Sequence, residues 1–479
     1  MSNPQQAAQS SDVTAVPPAP TTAPLTRSTI YAQRFGYAMS DVASNLLFAA
    51  ISFYLLKFYT DIAGLSALVA GNILLIARSI DALDAPLWGI VFERVRSRWG
   101  KSRPWFLWLC IPFAVTAVLT FSTPDLSMSN KVLYAGLTYC ICSIIFTGIN
   151  TPVTAILSAL TRDPRQRLVL TSFRMLGSKA GVLIVNALFL PCIAYFGSGN
   201  DKRGIFIAII VYACGSVALF LTAFATLEER VTEAATPHQT TKNSFSAIVG
   251  NWPWIIIVSS SLLFWVAFIS RISIVPYYFQ YVWGRAELIP IANSLDIVSL
   301  VSIILIPWFC SRTSKTTVWA CGLAGSVLAQ FVIYVGVVSH SLPVVFVGWI
   351  IGILTGALAM IMPFSLLADS VDFGEWKSGI RAAGLLSALG SAFCVKAGSG
   401  LGGAITAWIL SATGYRANEV QSINAIAGIN FSFVWVPALF YFLALIPVMF
   451  YRRFETMEPQ IVTDLENRRA QSSLPPTYW

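Results

Sequence analysis

Charge is scarce in this 479-residue sequence: Asp, Glu, Lys and Arg make up 11% of it, against 56% hydrophobic residues. Soluble domains carry about 25% charged residues, so a shortfall along the whole length excludes an ordinary water-soluble fold. Histidine is nearly absent, with His238 and His340 the only two. Neither stands near further ligands or a nucleophile, so metal catalysis on histidine is not expected. The eight cysteines (Cys110, Cys140, Cys142, Cys192, Cys214, Cys310, Cys321, Cys394) all fall in apolar stretches. None has metal-ligand spacing, since Cys140 and Cys142 lie about 200° apart around a helix. They read as small packing residues. No resident cofactor is expected, no reactive constellation marks an enzyme, and no large soluble region could serve as the output domain of a sensor. The formal charge of +9 does not imply a nucleic-acid partner, because the Lys and Arg sit in short connections between apolar runs.

What the chain does have is apolar length. A helix needs roughly 20 apolar residues to cross a bilayer core. Twelve such runs are present, at 30–58, 66–93, 104–123, 131–160, 170–196, 204–226, 252–282, 287–310, 318–338, 342–368, 382–411 and 427–451. The expected fold is an all-α polytopic membrane protein with twelve transmembrane helices in two six-helix bundles and a site between them. Its parts are a disordered tail (1–28), an N-terminal bundle (29–226), a polar linker (227–250), a C-terminal bundle (251–452) and a second tail (453–479). Residues 1–28, rich in Pro, Ala, Thr and Ser, contain no apolar segment of the kind a cleaved signal peptide needs. The 2–3 loop carries Arg94, Arg96, Arg98, Lys101 and Arg103, and the 4–5 loop carries Arg162, Arg165 and Arg167. Positive charge marks the cytoplasmic side, so both termini are expected in the cytoplasm of a cell with its chain in the inner membrane. The halves echo each other weakly: the 2–3 loop (RVRSRWGKSRPW) and the 8–9 loop (CSRTSKTTVW) are both short, basic and followed by a Trp-led span. Trp105, Trp108, Trp254 and Trp283, near span ends, are expected to be interfacial anchors.

Charges inside the spans carry the functional signal, because each costs roughly 2.5–3.5 kcal/mol to insert. Asp41 lies in span 1, and Asp81 and Asp84 in span 2. The last two sit about 60° apart on one helix face, where two carboxylates can bind a cation or share a proton. A salt bridge to Arg78, one turn earlier, neutralises only one of them. Thr147 and Asn150 offer neutral oxygens in span 4, and Arg174 and Lys396 are deep in spans 5 and 11. Arg271 in span 7 suits either a cavity or the rim, and Asp296 is placed near the outer end of span 8. Lys57 and Lys179 are read as snorkelling or packing residues. The glycines of GSGLGGA (398–404) allow close helix approach.

Several blocks in order carry a family resemblance: GYAMSDVASN, FYTDIAGLS, ARSIDALDAP with RSRWGKSRPW, GINTP, LTRDPRQR, FRMLG, ADSVDFGEW with GIR, and VKAGSGLGG. Over about residues 30–455 the chain resembles the glycoside–pentoside–hexuronide:cation symporters of the major facilitator superfamily, typified by the melibiose carrier. The resemblance implies import of a sugar, glycoside or hexuronide with a cation, by alternating access in a monomer embedded in lipid. It implies substrate contacts at Asp41, Asn45, Asn150, Arg174 and Lys396, with Asn150 replacing a family aspartate. It implies cation coupling at Asp81 and Thr147, to which the carboxylate spacing adds Asp84, and a cytoplasmic gate at Asp372, Gly374, Glu375 and Arg381. The family pattern D-x-x-x-D-P is altered here to Asp81-Ala82-Leu83-Asp84-Ala85-Pro86, which rotates the second carboxylate by about 100°. Proton coupling is therefore expected, with a rearranged sodium site at Asp81 and Asp84 as the alternative. Export or uniport of another organic solute, such as a small organic anion, is the competing reading.

Overall fold

The structure is a computed structural model and describes residues 27–94, 97–122, 124–161, 164–229, 250–379, 386 and 388–472. Among the described residues twelve long helices cross the molecule. The N-terminal half comprises α1 (Arg27–Lys57), α2 (Ala67–Arg94), α3 (Arg103–Thr120), α4 (Met128–Leu160), α5 (Pro164–Gly197) and α6 (Asp201–Thr226). The C-terminal half comprises α7 (Trp252–Tyr277), α8 (Leu288–Arg312, with a 3₁₀ turn at Leu295–Val298), α9 (Lys315–Val338), α10 (Leu342–Ser378), α11 (Cys394–Ala412) and α12 (Ile423–Ser472). Single π turns extend α1 over Phe58–Ile62 and α7 over Tyr278–Val282, and another leads into α11 over Ala388–Phe393. Eleven spans are long and apolar enough to cross a membrane. The remaining helix, α2, is as long but carries Arg78, Asp81 and Asp84 in its middle.

Solvation is inverted relative to a soluble protein. Large apolar side chains such as Ile304, Leu328 and Tyr195 lie on the outside, while Asp81, Arg78 and Arg271 are buried. That arrangement suits a lipid surround, in which polar groups must find partners inside the protein.

One apolar cluster fills the N-terminal half and continues across the ends of α7, α8, α10 and α12, through Tyr277, Tyr278, Trp349 and Phe433. A second, with Trp254, Trp319, Phe373, Tyr451 and Leu465, is confined to the opposite end of the C-terminal half. The halves are therefore packed together at the end where α1 and α7 finish. In α11 the glycine run brings backbone against backbone. A Cβ on Gly402 would lie 2.6 Å from the Val266 carbonyl of α7, and one on Gly400 would lie 2.8 Å from the Arg78 side chain of α2. Helix α11 is thus wedged between α2 and α7 at distances that larger residues forbid.

The echo between the halves has a structural counterpart. Glu229, just beyond α6, accepts from the backbone N–H groups of Lys101, Ser102 and Arg103 at 2.8, 2.6 and 2.7 Å, at the start of α3. Glu455 of α12 accepts from the Thr316 N–H at 2.7 Å, at the start of α9. In both halves a carboxylate in or just beyond the sixth helix meets the unpaired donors and positive dipole end of the third.

Two expectations meet the structure differently. The tail expected from residue 453 begins as helix: α12 runs twenty residues past Arg452, and Phe454, Ile461 and Leu465 are buried in the second cluster. Trp105 and Trp254 are buried, and the Trp254 indole donates to the Leu386 carbonyl at 2.9 Å, so they pack the interior; only Trp108 is exposed. The linker 227–250 lies outside the described residues except at its two ends.

Candidate functional site

Two adjoining features occupy the middle of the molecule. The first is a cluster of charges between α2, α4 and α11. The ammonium of Lys396 lies 3.0 Å from Asp81 Oδ1 and 3.4 Å from Asp84 Oδ1. It also donates to the Asp81 backbone carbonyl at 2.7 Å and to Thr147 Oγ1 at 2.9 Å. Thr147 in turn donates to Asp81 Oδ1 at 2.5 Å, and Arg78 Nη1 reaches Asp81 Oδ2 at 3.4 Å. Two cations thus face two carboxylates in a buried setting, where unpaired charge would cost several kcal/mol. Asp84 Oδ2 is buried and has no hydrogen-bond partner among the described residues. The pairing of Asp81 and Asp84 on one face of α2 holds, and Thr147 joins them.

The second feature is a cavity of about 260 Å³ between the halves, just below the roughly 300–1,000 Å³ of most small-molecule sites. The N-terminal half contributes Asn45, Phe48, Phe53, Ser178 and Lys179, and the C-terminal half Trp265, Arg271, Asp296, Trp349, Val395 and Ser399. Lys179 crosses from one half to the other, 2.7 Å from Asp296 and 3.0 Å from the Ser299 hydroxyl. It is an ion-pair member rather than a snorkelling or packing residue, and Asp296 faces the interior rather than the outer end. Arg271 faces the cavity, its guanidinium carbon 4.4 Å from the Trp349 ring centroid.

Of the five residues expected at the substrate, Asn45 lines this cavity, donating to the Asp41 carbonyl at 2.8 Å and to Ser178 Oγ at 3.1 Å. Asp41 and Arg174 form a pair at 3.3 Å, one turn of α1 away. Lys396 belongs to the charge cluster instead, and its neighbours Val395 and Ser399 line the cavity. Asn150 is half-buried outside the cavity wall. The two features touch twice. Helix α11 presents different faces to both, and the Arg78 guanidinium lies 5.1 Å from the ring of the cavity residue Phe48.

Of the expected gate, Gly374 is buried and its carbonyl accepts from the Ser378 hydroxyl at 2.6 Å. Asp372 and Glu375 are half-buried, and Arg381 lies outside the described residues. Near them Trp376 donates to Asp464 of the α12 extension at 3.0 Å, and Lys315 pairs with Asp369 at 2.7 Å and Glu458 at 3.2 Å.

At the far end of the cavity the halves are tied together around Asp61. Its Oδ1 accepts from the Tyr415 hydroxyl at 2.6 Å and its Oδ2 from the Tyr281 hydroxyl at 2.9 Å. The Asn418 side chain donates to its carbonyl at 2.7 Å, from a residue with φ 59°, in the left-handed region that asparagine tolerates. Thr60 and Tyr277 share a hydrogen bond at 2.8 Å, and Lys57 donates to Gln280. Asp61 lies in FYTD and its partners in PYYFQYVW and GYRAN, so the sequence displays the residues without their pairing.

Two helical bundles around a central cavity, with buried charge beside it, define a membrane transporter of the major facilitator architecture rather than an enzyme. Residues 36–452 match the family described as MFS/sugar transport protein, and the chain belongs to that family, the cation-symporter group that its sequence blocks resemble. It is 37% identical to the isoprimeverose transporter of Lactiplantibacillus pentosus, over 92% of this chain and 93% of that one. It is 32% identical to the inner membrane symporter YicJ of Escherichia coli, over 86% and 90%. Among solved structures, a D-xylose–proton symporter superposes with a TM-score of 0.63 at 14% identity, over 88% of this chain and 97% of that one, which bears on the fold alone.

Proposed function

We propose that this chain imports a sugar or glycoside across the inner membrane together with a cation, by alternating access, and that Asp81, Asp84 and Lys396 couple the two fluxes. The observation that carries this reading is the Lys396 ammonium held by two carboxylates, beside a cavity that shares α11 and the Phe48–Arg78 contact with them. A coupling ion and Lys396 compete for the same carboxylates. When the ion binds or a carboxylate takes up a proton, Lys396 is released and α11 gains freedom to move against α2 and α7. The names of relatives agree in kind: one from Escherichia coli, 30% identical over 92% of this chain and 96% of its own length, is called a putative glycoside/cation symporter.

The proton is the preferred ion. A sodium cage needs about six oxygens, whereas here an ammonium already engages the Asp81, Asp84 and Thr147 oxygens, and the buried Asp84 Oδ2 offers a protonation point. Substrate uptake into vesicles under an imposed pH gradient without sodium is expected to exceed uptake under a sodium gradient at constant pH. Accumulation driven by sodium alone would instead make Asp84 part of a rearranged sodium site.

Both termini are cytoplasmic in this reading, which puts the Asp61 cluster on the outside and makes the structure closed to that side. A reporter fused at residue 235 is expected to behave as cytoplasmic; a periplasmic signal there would reverse the orientation.

A further inference from the structure

Four cations of the described membrane interior are matched by carboxylates. Arg78 and Lys396 face Asp81 and Asp84, Arg174 faces Asp41, and Lys179 faces Asp296. Lys57 donates to Gln280 four residues before Asp61 in the outer cluster. Arg271 has no such counterpart. It is 4% exposed, lines the cavity, and its Nε and Nη1 have no acceptor among the described residues. The cavity wall therefore carries two cations, Lys179 and Arg271, against one carboxylate, Asp296.

The surroundings hold Arg271 in place without neutralising it. The guanidinium lies over Trp349, whose indole is fixed by donating to the Ala292 carbonyl at 2.9 Å and by stacking with Phe433 at 5.7 Å. Gly352 leaves the room it needs, since a Cβ there would lie 2.7 Å from Nη1. A cation–π contact recovers only about 0.5–2 kcal/mol, less than the cost of a buried, unpaired charge.

We propose that Arg271, braced on Trp349, is a specificity-determining substrate residue, and that the solute bound here carries a carboxylate or an equivalent oxyanion on its sugar. This rests on the sugar-transport reading and narrows it. Sugar hydroxyls could accept from Nε and Nη1 but would leave the charge unmatched. A carboxylate does both, and the planar guanidinium fork fits it in two parallel hydrogen bonds.

The test is binding to the full chain in lipid nanodiscs of paired probes: methyl glucosides and galactosides and the corresponding methyl uronides. The uronide of at least one pair is expected to bind ten-fold or more tightly than its neutral partner. Arg271→Gln should remove that preference, lowering uronide binding at least ten-fold more than it lowers neutral-glycoside binding, and Arg271→Lys, which keeps charge but loses the fork, should fall between. Gly352→Ala, which crowds the guanidinium, should lower uronide binding without removing the charge. Neutral probes binding as well as or better than every uronide, or an unchanged preference in Arg271→Gln, would overturn the proposal while sparing the sugar reading. Failure of every sugar, neutral or acidic, to bind would overturn both.

Discussion

Asp81→Asn is expected to abolish uphill accumulation of substrate while leaving exchange down a gradient intact. Asp81 is fully buried and is held by Arg78, Lys396 and Thr147 together. The amide keeps the shape but can neither balance Lys396 nor take up and release a proton. The two carboxylates then become one, Asp84, facing two cations, and the exchange between ion and ammonium has no full site in which to occur. Binding of substrate in the cavity uses other residues and should persist within a few-fold. Counterflow in vesicles separates the outcomes: exchange retained with accumulation lost supports the coupling role. Undiminished accumulation by the mutant would remove Asp81 from the mechanism, and loss of exchange as well would make its role structural.

The helices and the paired carboxylates were legible because both rest on local periodicity. Apolar length fixes a span, and a spacing of three residues fixes Asp81 and Asp84 on one face. Even the α11 glycines were readable as a close-contact face. The partners across the halves were not. Nothing local distinguishes Lys179 from a snorkelling lysine until Asp296, over a hundred residues away, arrives 2.7 Å from it. Lys396 was placed with the substrate residues by the family resemblance as well as by its depth in span 11, whereas its side chain turns to α2 and only its neighbours face the cavity. A count of intramembrane charges would have helped: in this interior the cations and carboxylates nearly cancel, and the excess leads to Arg271. The helical end of the chain was hidden by the charged, polar composition of 453–472, in which Phe454, Ile461 and Leu465 are the buried apolar residues of the second cluster.

Asp61→Ala is expected to cut transport at least ten-fold and to open the outer side of the cavity. Asp61 is the one residue of the N-terminal half that receives hydrogen bonds from both Tyr281 and Tyr415, so its carboxylate ties the end of α1 to the end of α7 and to the α11–α12 connection. A hydrogen bond to a charged group contributes about 1.5–3 kcal/mol. Losing even one such bond from the state closed to the outside shifts its balance with the open state by roughly ten- to a hundred-fold, because these bonds exist only when the halves meet. The apolar contacts of Tyr277, Tyr278 and Phe433 oppose complete opening, so the protein should remain folded. Asp61→Asn, which keeps an acceptor without the charge, should be intermediate. The readout is a cysteine introduced at Ser52 in the cavity wall, probed from outside with a membrane-impermeant maleimide. Faster labelling in Asp61→Ala than in the parent, with slower transport, is the predicted pair of results. Equal labelling with slower transport would mean that Asp61 acts elsewhere in the cycle, and equal rates in both would show that the tyrosine contacts do not limit the opening.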